Sequence, residues 1–195
     1  DSDIGVGTLL HYAIIKEDNG LIDTLLSIDA NPKVQLELEK GSLRFETLNL
    51  AVLKNNTQIV NKIINSKVKI NKTDWFGYNC IHYACMQNNF DMCKLLLDNC
   101  NKKKLINSYN LTPLDIAVSN SNSIQIISYL IENGADVNEE ISDKSELYSG
   151  FTPLHFAAGN ENGVEIVKFL IEKGANVNAK VSDKSESYYG YTPLH

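Results

Sequence analysis

Arginine is almost absent from this chain: Arg44 is the single arginine among 18 basic residues, and 24 acidic residues bring the net charge to −6. Arginine is the side chain that most readily binds phosphate with two parallel hydrogen bonds, and a negatively charged surface repels nucleic acid. The composition therefore predicts that nucleic acid is not a partner.

Long hydrophobic segments are also missing. No apolar run approaches the roughly 18 to 20 residues that a membrane helix needs. The first residues, Asp1 to Gly5, have neither the basic start nor the apolar stretch of a signal peptide. We therefore expect no membrane partner.

C-x-x-C pairs, which zinc sites and redox motifs favour, do not occur. The four cysteines lie within a window of 21 residues, at Cys80, Cys85, Cys93 and Cys100. Reduced, partly buried thiols are the expected state, with a metal ion or a disulfide as the alternative. We predict no metal, no cofactor, and a reducing compartment such as the cytoplasm.

Self-similarity is what the sequence does contain. Six segments align, and their first residues are 38, 33, 33, 40 and 40 apart, so the basic period is 33 residues. The segments are Thr8-Leu-Leu-His-Tyr-Ala13, Glu46-Thr-Leu-Asn-Leu-Ala51, Asn79-Cys-Ile-His-Tyr-Ala84, Thr112-Pro-Leu-Asp-Ile-Ala117, Thr152-Pro-Leu-His-Phe-Ala157 and Thr192-Pro-Leu-His195. A second, helix-like motif recurs downstream of these segments. Its two clearest copies, residues 124–138 and 164–178, end in Gly-Ala-Asp-Val-Asn138 and Gly-Ala-Asn-Val-Asn178.

These two motifs at this period resemble the ankyrin repeat over essentially the whole chain. The resemblance implies a mainly α fold, a solenoid of antiparallel helix pairs with β-hairpin fingers between neighbours, which binds other proteins. We predict a single array over residues 1–195, with approximate repeats 5–43, 44–76, 77–109, 110–149 and 150–189 and a partial repeat 190–195. Because the last unit is cut and carries no polar cap, we expect a piece of a longer array.

The repeated motif also carries the signals of a helix start. Threonine is a favourable N-cap, and proline suits the first helical position. All four histidines fall at the fourth position of the motif, where the resemblance implies that the imidazole bonds to the capping hydroxyl and to backbone in the adjoining loop. We assign structural capping roles to Thr8, His11, His82, Thr112, Pro113, Thr152, Pro153 and His155.

Catalytic motifs are not found. With the histidines assigned to the frame, no general base or zinc ligand set remains. Gly5-Val-Gly7 lacks the third glycine of a dinucleotide site, and the carboxylates are scattered along the chain. We therefore predict no catalytic residue and expect that these residues do not form an enzyme.

Turn signals mark the fingers. Asp74 can bond its own backbone two residues on, and Gly77 can take a positive φ; Asn107 and Asn110 fill the same two positions in the next finger. Between Pro32 and Glu46, alternating apolar residues predict a lengthened hairpin.

The 40-residue steps contain two insertions each. One extra residue lies between the two helices, near Ser121 and near Glu161, and six more enlarge the finger. The two enlarged fingers, residues 141–150 and 181–190, are nearly identical. They reflect either a recent duplication of one unit or a doubled contact element.

Aromatic side chains concentrate in or beside the fingers, and tyrosine and tryptophan dominate binding hot spots. We predict partner contacts at Trp75, Phe76, Tyr78, Tyr109, Tyr148, Phe151, Tyr188, Tyr189 and Tyr191. The alternative is that these rings pack on neighbouring fingers and stiffen the row. Six aromatic residues in the helices are predicted to lie in the core: Tyr12, Tyr83, Phe90, Tyr129, Phe156 and Phe169.

The leading functional hypothesis is a non-catalytic protein–protein interaction module that binds a protein partner through its finger tips and the concave helix face. The alternative is a targeting or substrate-positioning segment of a larger enzyme whose catalytic domain lies outside these residues. Abundant Asn, Ile and Lys with almost no Arg resembles the usage of AT-rich genomes, as many intracellular bacteria and parasites have. This adds the hypothesis of a secreted effector that binds host proteins in the host cell cytoplasm.

Overall fold

The computed structural model describes residues 2–28, 35–37, 44–66, 70–74, 76–100, 105–120, 123–142, 148–181 and 188–195; for residues 2–8, 35–37 and 44–46 it describes the backbone alone. These residues are mainly helical. The helices are α1 Ser2–Lys16, α2 Asn19–Ser27, α3 Thr47–Leu53, α4 Thr57–Asn65, α5 Cys80–Met86, α6 Phe90–Asp98, α7 Pro113–Val118, α8 Ile124–Glu132, α9 Pro153–Ala158 and α10 Val164–Glu172. The strands are β1 Gln35–Glu37 and β2 Arg44–Glu46.

The chain forms two compact units. The first comprises Asp1–Gln87 and Asp91–Lys103, and the second comprises Asn88–Phe90 and Lys104–His195. In the first unit α1 packs on α2 and α3, and α3 packs on α4 and α5; in the second, α7 packs on α8 and α9, and α9 packs on α10. Four pairs of helices adjacent in sequence therefore pack together, α1 with α2, α3 with α4, α7 with α8 and α9 with α10, and within each unit the first helices of successive repeats stack on one another. A single array over the whole chain stays a prediction.

Local sequence explains where α7 and α9 begin. Thr112 and Thr152 have extended backbone, and Pro113 and Pro153 take the first helical positions. Proline has a suitable φ for the first turn and disfavours a helical conformation in the residue before it. These two helices therefore start at the predicted residues.

Thr8 does not start a helix. Helix α1 begins at Ser2, so Thr8 lies inside it and the predicted capping role is wrong in this repeat. The residue after Thr8 is Leu9 rather than proline. Nothing in the local sequence therefore keeps Thr8 out of the helical conformation.

The core of each unit lies between the paired helices. The first helix of every complete repeat buries an alanine at the same position, which lets the second helix approach closely. The second helices contribute larger apolar side chains. The alanines are Ala13, Ala51, Ala84, Ala117 and Ala157, and the larger residues include Ile59, Ile63, Met92, Leu96, Ile126, Leu130, Ile166 and Leu170.

The aromatic residues of the helices are less buried than predicted. The core prediction is wrong for Tyr12, which is 53% exposed, and the other five are half-buried. Tyr12, Tyr83 and Phe156 share the fifth position of the repeated motif. That position faces away from the partner helix, on the side of the fingers, so a ring there is only partly covered.

The lengthened hairpin is confirmed. Strands β1 and β2 pair antiparallel, with Leu36 opposite Phe45 and Gln35 opposite Glu46. A hairpin of this kind satisfies backbone hydrogen bonds that a long irregular connection would leave open. The finger of this repeat is therefore a small sheet.

Candidate partner-binding groove

The histidines hold the starts of their motifs. Nδ1 of His82 accepts the backbone N–H of Asn79 at 3.2 Å, and Nδ1 of His155 accepts that of Thr152 at 3.1 Å. His195 does the same in the last motif, at 3.1 Å. A backbone N–H only donates, so each Nδ1 is unprotonated and a neutral ring carries its proton on Nε2.

The second ring nitrogen joins one repeat to the next. Nε2 of His155 donates to the carbonyl of Tyr191 at 3.4 Å, and Nε2 of His11 lies 3.1 Å from Oγ1 of Thr47. Burial lowers the pKa of His155, against smaller opposing effects of the Tyr191 carbonyl and of Glu140. A buried, neutral imidazole with both nitrogens hydrogen-bonded connects two repeats and has no free nitrogen for chemistry, which supports the predicted structural role of His155.

Two repeats replace this histidine, and each replacement keeps half of its bonding. Nδ2 of Asn49 donates to the carbonyl of Tyr78 at 3.3 Å, which reproduces the bond between repeats. Oδ2 of Asp115 accepts the N–H and the hydroxyl of Thr112, both at 2.8 Å, which reproduces the bond at the helix start. The frame therefore tolerates different side chains at this position.

The fingers turn as the sequence predicts. Oδ1 of Asp74 accepts the N–H groups of Phe76 and Tyr78, both at 2.9 Å, and Gly77 has a φ of 74°. In the next finger Asn110 takes a φ of 57° without being glycine, because asparagine tolerates the left-handed region. The finger turn is therefore kept when the glycine is replaced.

Most aromatic residues near the enlarged fingers pack on one another. The Phe151 ring lies 5.8 Å from Tyr148, 5.6 Å from Phe156 and 5.5 Å from Tyr188. Tyr188 lies in turn 5.8 Å from Tyr191. Rings at these separations attract each other beyond the effect of burial alone. The alternative, in which the rings pack on one another, therefore accounts for part of the surface of Tyr148, Phe151, Tyr188 and Tyr191.

The remaining predicted contact residues differ in surroundings. Tyr78 is half-buried, and its ring contacts His82 and Tyr83. Three others make no ring contact with described residues and are exposed: Phe76 by 44%, Tyr109 by 42% and Tyr189 by 64%. Tyr191 is 44% exposed as well, but its ring contacts Tyr188. Trp75 lies outside the described residues. Phe76, Tyr109 and Tyr189 are therefore the predicted contact residues that are both exposed and without a described ring contact.

An open groove of about 590 Å³ lies in the second unit. Three aromatic side chains line it, and we call them the groove rings: Tyr148 and Phe151, which precede α9, and Phe156, within α9. The rest of the lining comes from α9, from the turns that follow α7 and α9, and from one residue before α7: Leu111, Ser119, His155, Gly159, Asn160, Glu161 and Asn162. The groove thus combines aromatic surface with one carboxylate.

The turn after α9 is held by its own hydrogen bonds. Asn160 donates through Nδ2 to the carbonyl of Ser119 at 3.0 Å, and its Oδ1 accepts the N–H of Asn162 at 3.1 Å. Glu161, between them, is exposed. The turn therefore presents this carboxylate at the groove on a fixed backbone.

Sequence reasoning missed the residues that this turn contributes. It placed partner contacts on aromatic residues alone and gave no role to Ser119, Asn160, Glu161 or Asn162. A signal was present, because the single extra residue near Ser121 and near Glu161 lies in these turns. An inserted residue in a repeat protein changes a loop on one face, which is often the binding face.

The described cysteines are not activated for chemistry. Cys80, Cys85 and Cys93 are buried, and Cys100 is half-buried. Burial raises the pKa of Cys80 and Cys100; for Cys85, contact with Cys93 at 3.8 Å between sulfurs raises the pKa, with burial second. Protonated thiols are poor nucleophiles and poor metal ligands.

The described residues contain no cluster of three or more His, Cys, Asp or Glu side chains placed to hold a metal ion. They also contain no helix with the length and apolar character required to cross a bilayer.

Comparison with known proteins gives matches along most of the chain. The family model for ankyrin repeats in three copies matches residues 48–141, and the model for a single ankyrin repeat matches residues 149–181. A putative ankyrin repeat protein of Acanthamoeba polyphaga mimivirus is 30% identical over 132 residues, which is 67% of this chain and 16% of that protein. The nuclear factor NF-kappa-B p105 subunit of Gallus gallus is 28% identical over 146 residues, 72% of this chain and 15% of that protein.

A solved structure agrees with the fold. The ankyrin repeat domain of Bcl-3, described as a unique member of the IkappaB protein family, matches with a TM-score of 0.78 and 25% identity, over 96% of this chain and 78% of that one. The predicted fold class, a mainly α ankyrin-repeat solenoid, is confirmed. The chain spans only about a sixth of the curated relatives it matches, at 16% and 15% of their lengths. It belongs to the ankyrin repeat family, whose repeats typically serve in protein–protein interaction.

Proposed function

We propose that this chain is a non-catalytic module that binds a protein partner through its finger tips and the face formed by the first helices of its repeats. The observation that carries this proposal is the open groove of the second unit, lined by the groove rings and by a turn held in one conformation. Grooves that combine aromatic surface with a few fixed polar groups are typical of binding sites.

Exposed aromatic residues extend the proposed contact surface. Phe76, Tyr109 and Tyr189 lie in or beside the fingers and leave between 42% and 64% of their surface open. Aromatic side chains bury a large area at low entropic cost and are enriched at interface hot spots. We propose that these three residues also contact the partner, in addition to the groove.

The cellular setting is part of the same proposal. We propose that the module acts in a reducing cytoplasm, since its buried cysteines Cys80, Cys85 and Cys93 are thiols and not disulfides. We further propose that it belongs to an effector that binds host proteins in the host cytoplasm. Its composition supports this, and one of its relatives is a viral ankyrin repeat protein.

A second candidate is a targeting or substrate-positioning segment of a larger enzyme. The observation that favours it is that the chain spans about a sixth of the curated relatives it matches, 16% and 15%. In that case the groove would bind the protein substrate, and the chemistry would take place on another domain. The complete reading frame distinguishes the two candidates.

Affinity capture from a host-cell lysate tests the binding module. The first bait is the wild-type chain. The second is Glu161→Arg, which puts a long side chain of opposite charge at the groove. The matched control is Glu172→Arg, because Glu172 is an exposed residue of α10 that does not line the groove. We expect wild type and Glu172→Arg to retain the same partner and Glu161→Arg to lose it, at equal melting temperatures. Identical capture by all three baits would contradict the proposal.

A further inference from the structure

Acidic residues are distributed unevenly along the chain. Residues 1–104 contain 12 acidic and 13 basic residues, whereas residues 105–195 contain 12 acidic and 5 basic ones. The net negative charge therefore belongs to the part of the chain that forms most of the second unit, where the groove lies. An acidic surface attracts a basic partner and raises its rate of association.

The groove itself has the same sign. Glu161 is a carboxylate on its lining, and Glu140 is close enough to affect the charge state of His155, which also lines the groove. Among the described residues, no lysine or arginine lines the groove. The described lysines of the second unit are Lys168, which pairs with Glu165 at 3.0 Å, Lys173, which lies over the ring of Phe169, and the exposed Lys180, which is not part of the lining.

Two rings of this chain, the exposed Tyr12 and the half-buried Phe169, already have lysine side chains over them. The Nζ atoms of Lys16 and Lys173 lie 5.7 Å and 5.3 Å from the ring centroids of Tyr12 and Phe169. A cation within about 6 Å of a ring centroid is attracted by the electrons of the ring face. No described lysine lies over the groove rings, so their capacity to bind a cation is unused within the described part of the chain.

We infer that the groove takes the lysine or arginine side chains of a basic segment of the partner protein. Their alkyl stems and cationic groups would lie against the groove rings, and their charge would be balanced by Glu161. This inference rests on the proposed binding function and names the chemistry of the partner. The occupant is a basic polypeptide, because the groove is open to solvent and a partner chain brings several cations to an acidic unit.

Fluorescence anisotropy with labelled decapeptides tests the inference. The probe alternates lysine and alanine; two matched peptides carry glutamate or leucine in place of lysine. We expect the wild-type chain to bind the lysine peptide, with affinity that falls as salt rises, and to bind neither matched peptide. No binding of the lysine peptide, or equal binding of the leucine peptide, overturns the inference.

Variants separate the groove from general attraction between opposite charges. Glu161→Gln and Glu172→Gln make the same change of charge, one at the groove and one outside it. Phe156→Leu removes a groove ring without any change of charge. We expect Glu161→Gln and Phe156→Leu each to weaken binding by about three- to tenfold, as the loss of one ion pair or one cation–π contact does, and Glu172→Gln to leave it unchanged. Equal affinities for all variants overturn the inference.

The two proposals fail in different ways. If the lysine peptide does not bind but Glu161→Arg still abolishes capture of a lysate protein, the groove is a binding site for a partner of another chemistry. If neither experiment depends on Glu161, the binding site itself is wrong. A thermal melt of each variant excludes unfolding as the cause, and Glu161→Gln, at an exposed position, keeps the test valid even if Phe156→Leu is less stable.

Discussion

Nε2 of His155 donates a hydrogen bond to the carbonyl of Tyr191 at 3.4 Å, across 36 residues of sequence. The same ring accepts the N–H of Thr152 through Nδ1 at 3.1 Å. One imidazole thus completes the start of its own helix and attaches the next repeat. In other repeats Asn49 makes the bond to the next repeat and Asp115 makes the bond at the helix start.

Replacing His155 separates packing from hydrogen bonding. We expect His155→Ala to lower the free energy of unfolding by about 1 to 3 kcal/mol, because it leaves buried backbone groups without partners. His155→Asn should lose clearly less, since the amide of Asn49 makes the equivalent bond in another repeat. Urea unfolding at neutral pH measures both. Equal stability of His155→Ala and wild type would contradict the role assigned to this ring.

Stability should depend on pH through the same ring. Burial lowers the pKa of His155 below its ordinary value of 6.5, so at mildly acid pH the unfolded chain binds more protons than the folded one. The contribution to stability is complete above that ordinary value and is lost as the pH falls through the lower value of the folded chain. Between about pH 7.5 and pH 5, the melting temperature of wild type should fall more steeply than that of His155→Asn. Parallel curves would contradict this, because all other titrating groups are common to both proteins.

The ring contacts distinguish structural from available aromatic residues. Phe151 contacts four other rings, those of Tyr148, His155, Phe156 and Tyr188, so Phe151→Ala should lower the free energy of unfolding by about 1 to 3 kcal/mol. Tyr189 is 64% exposed, and Tyr189→Ala should change it by less than about 0.5 kcal/mol. Thermal or urea unfolding compares the two. If Phe151→Ala is as stable as wild type, the packed rings do not stiffen the fingers.

The turn that presents Glu161 depends on a glycine. A Cβ on Gly163 would lie 2.0 Å from the carbonyl oxygen of Ala157 and 2.9 Å from that of Asn160, so the backbone must shift. We expect Gly163→Ala to cost more than about 2 kcal/mol. Gly20 is the control, since its Cβ would meet only Asp18 Oδ1 at 3.6 Å and Gly20→Ala should be neutral or stabilising by up to about 1 kcal/mol. Calorimetry measures the stability of both variants. Equal stability of Gly163→Ala and Gly20→Ala would contradict the close backbone contacts at Gly163.

Much of the frame is readable from sequence because its signals are local. A threonine followed by proline starts α7 and α9, and an asparagine can take a positive φ at Asn110 as a glycine does. These preferences act within a few residues, so no knowledge of neighbours is required. Where the local signal is weaker the prediction fails: Thr8 has no proline after it and lies inside α1.

The candidate site was predictable only in part. Of the groove rings, Tyr148 and Phe151 were predicted as contact residues, whereas Phe156 was assigned to the core; the extra residue near Glu161 lies in the turn beside them. How far each ring is exposed could not be predicted, because exposure depends on rings contributed by other repeats. Tyr12 shows the same limit, since its apolar position in the motif predicted burial and it is 53% exposed.

The sequence by itself determined the repeat, its helix starts and the histidines that hold them, because each of these follows from residue types at fixed spacing. The tertiary structure alone decided which aromatic residues pack together and which remain open, and that Glu161 lies beside the groove rings. Packing between repeats sets those relationships, and residues 36 and 41 positions apart come together only when the repeats stack.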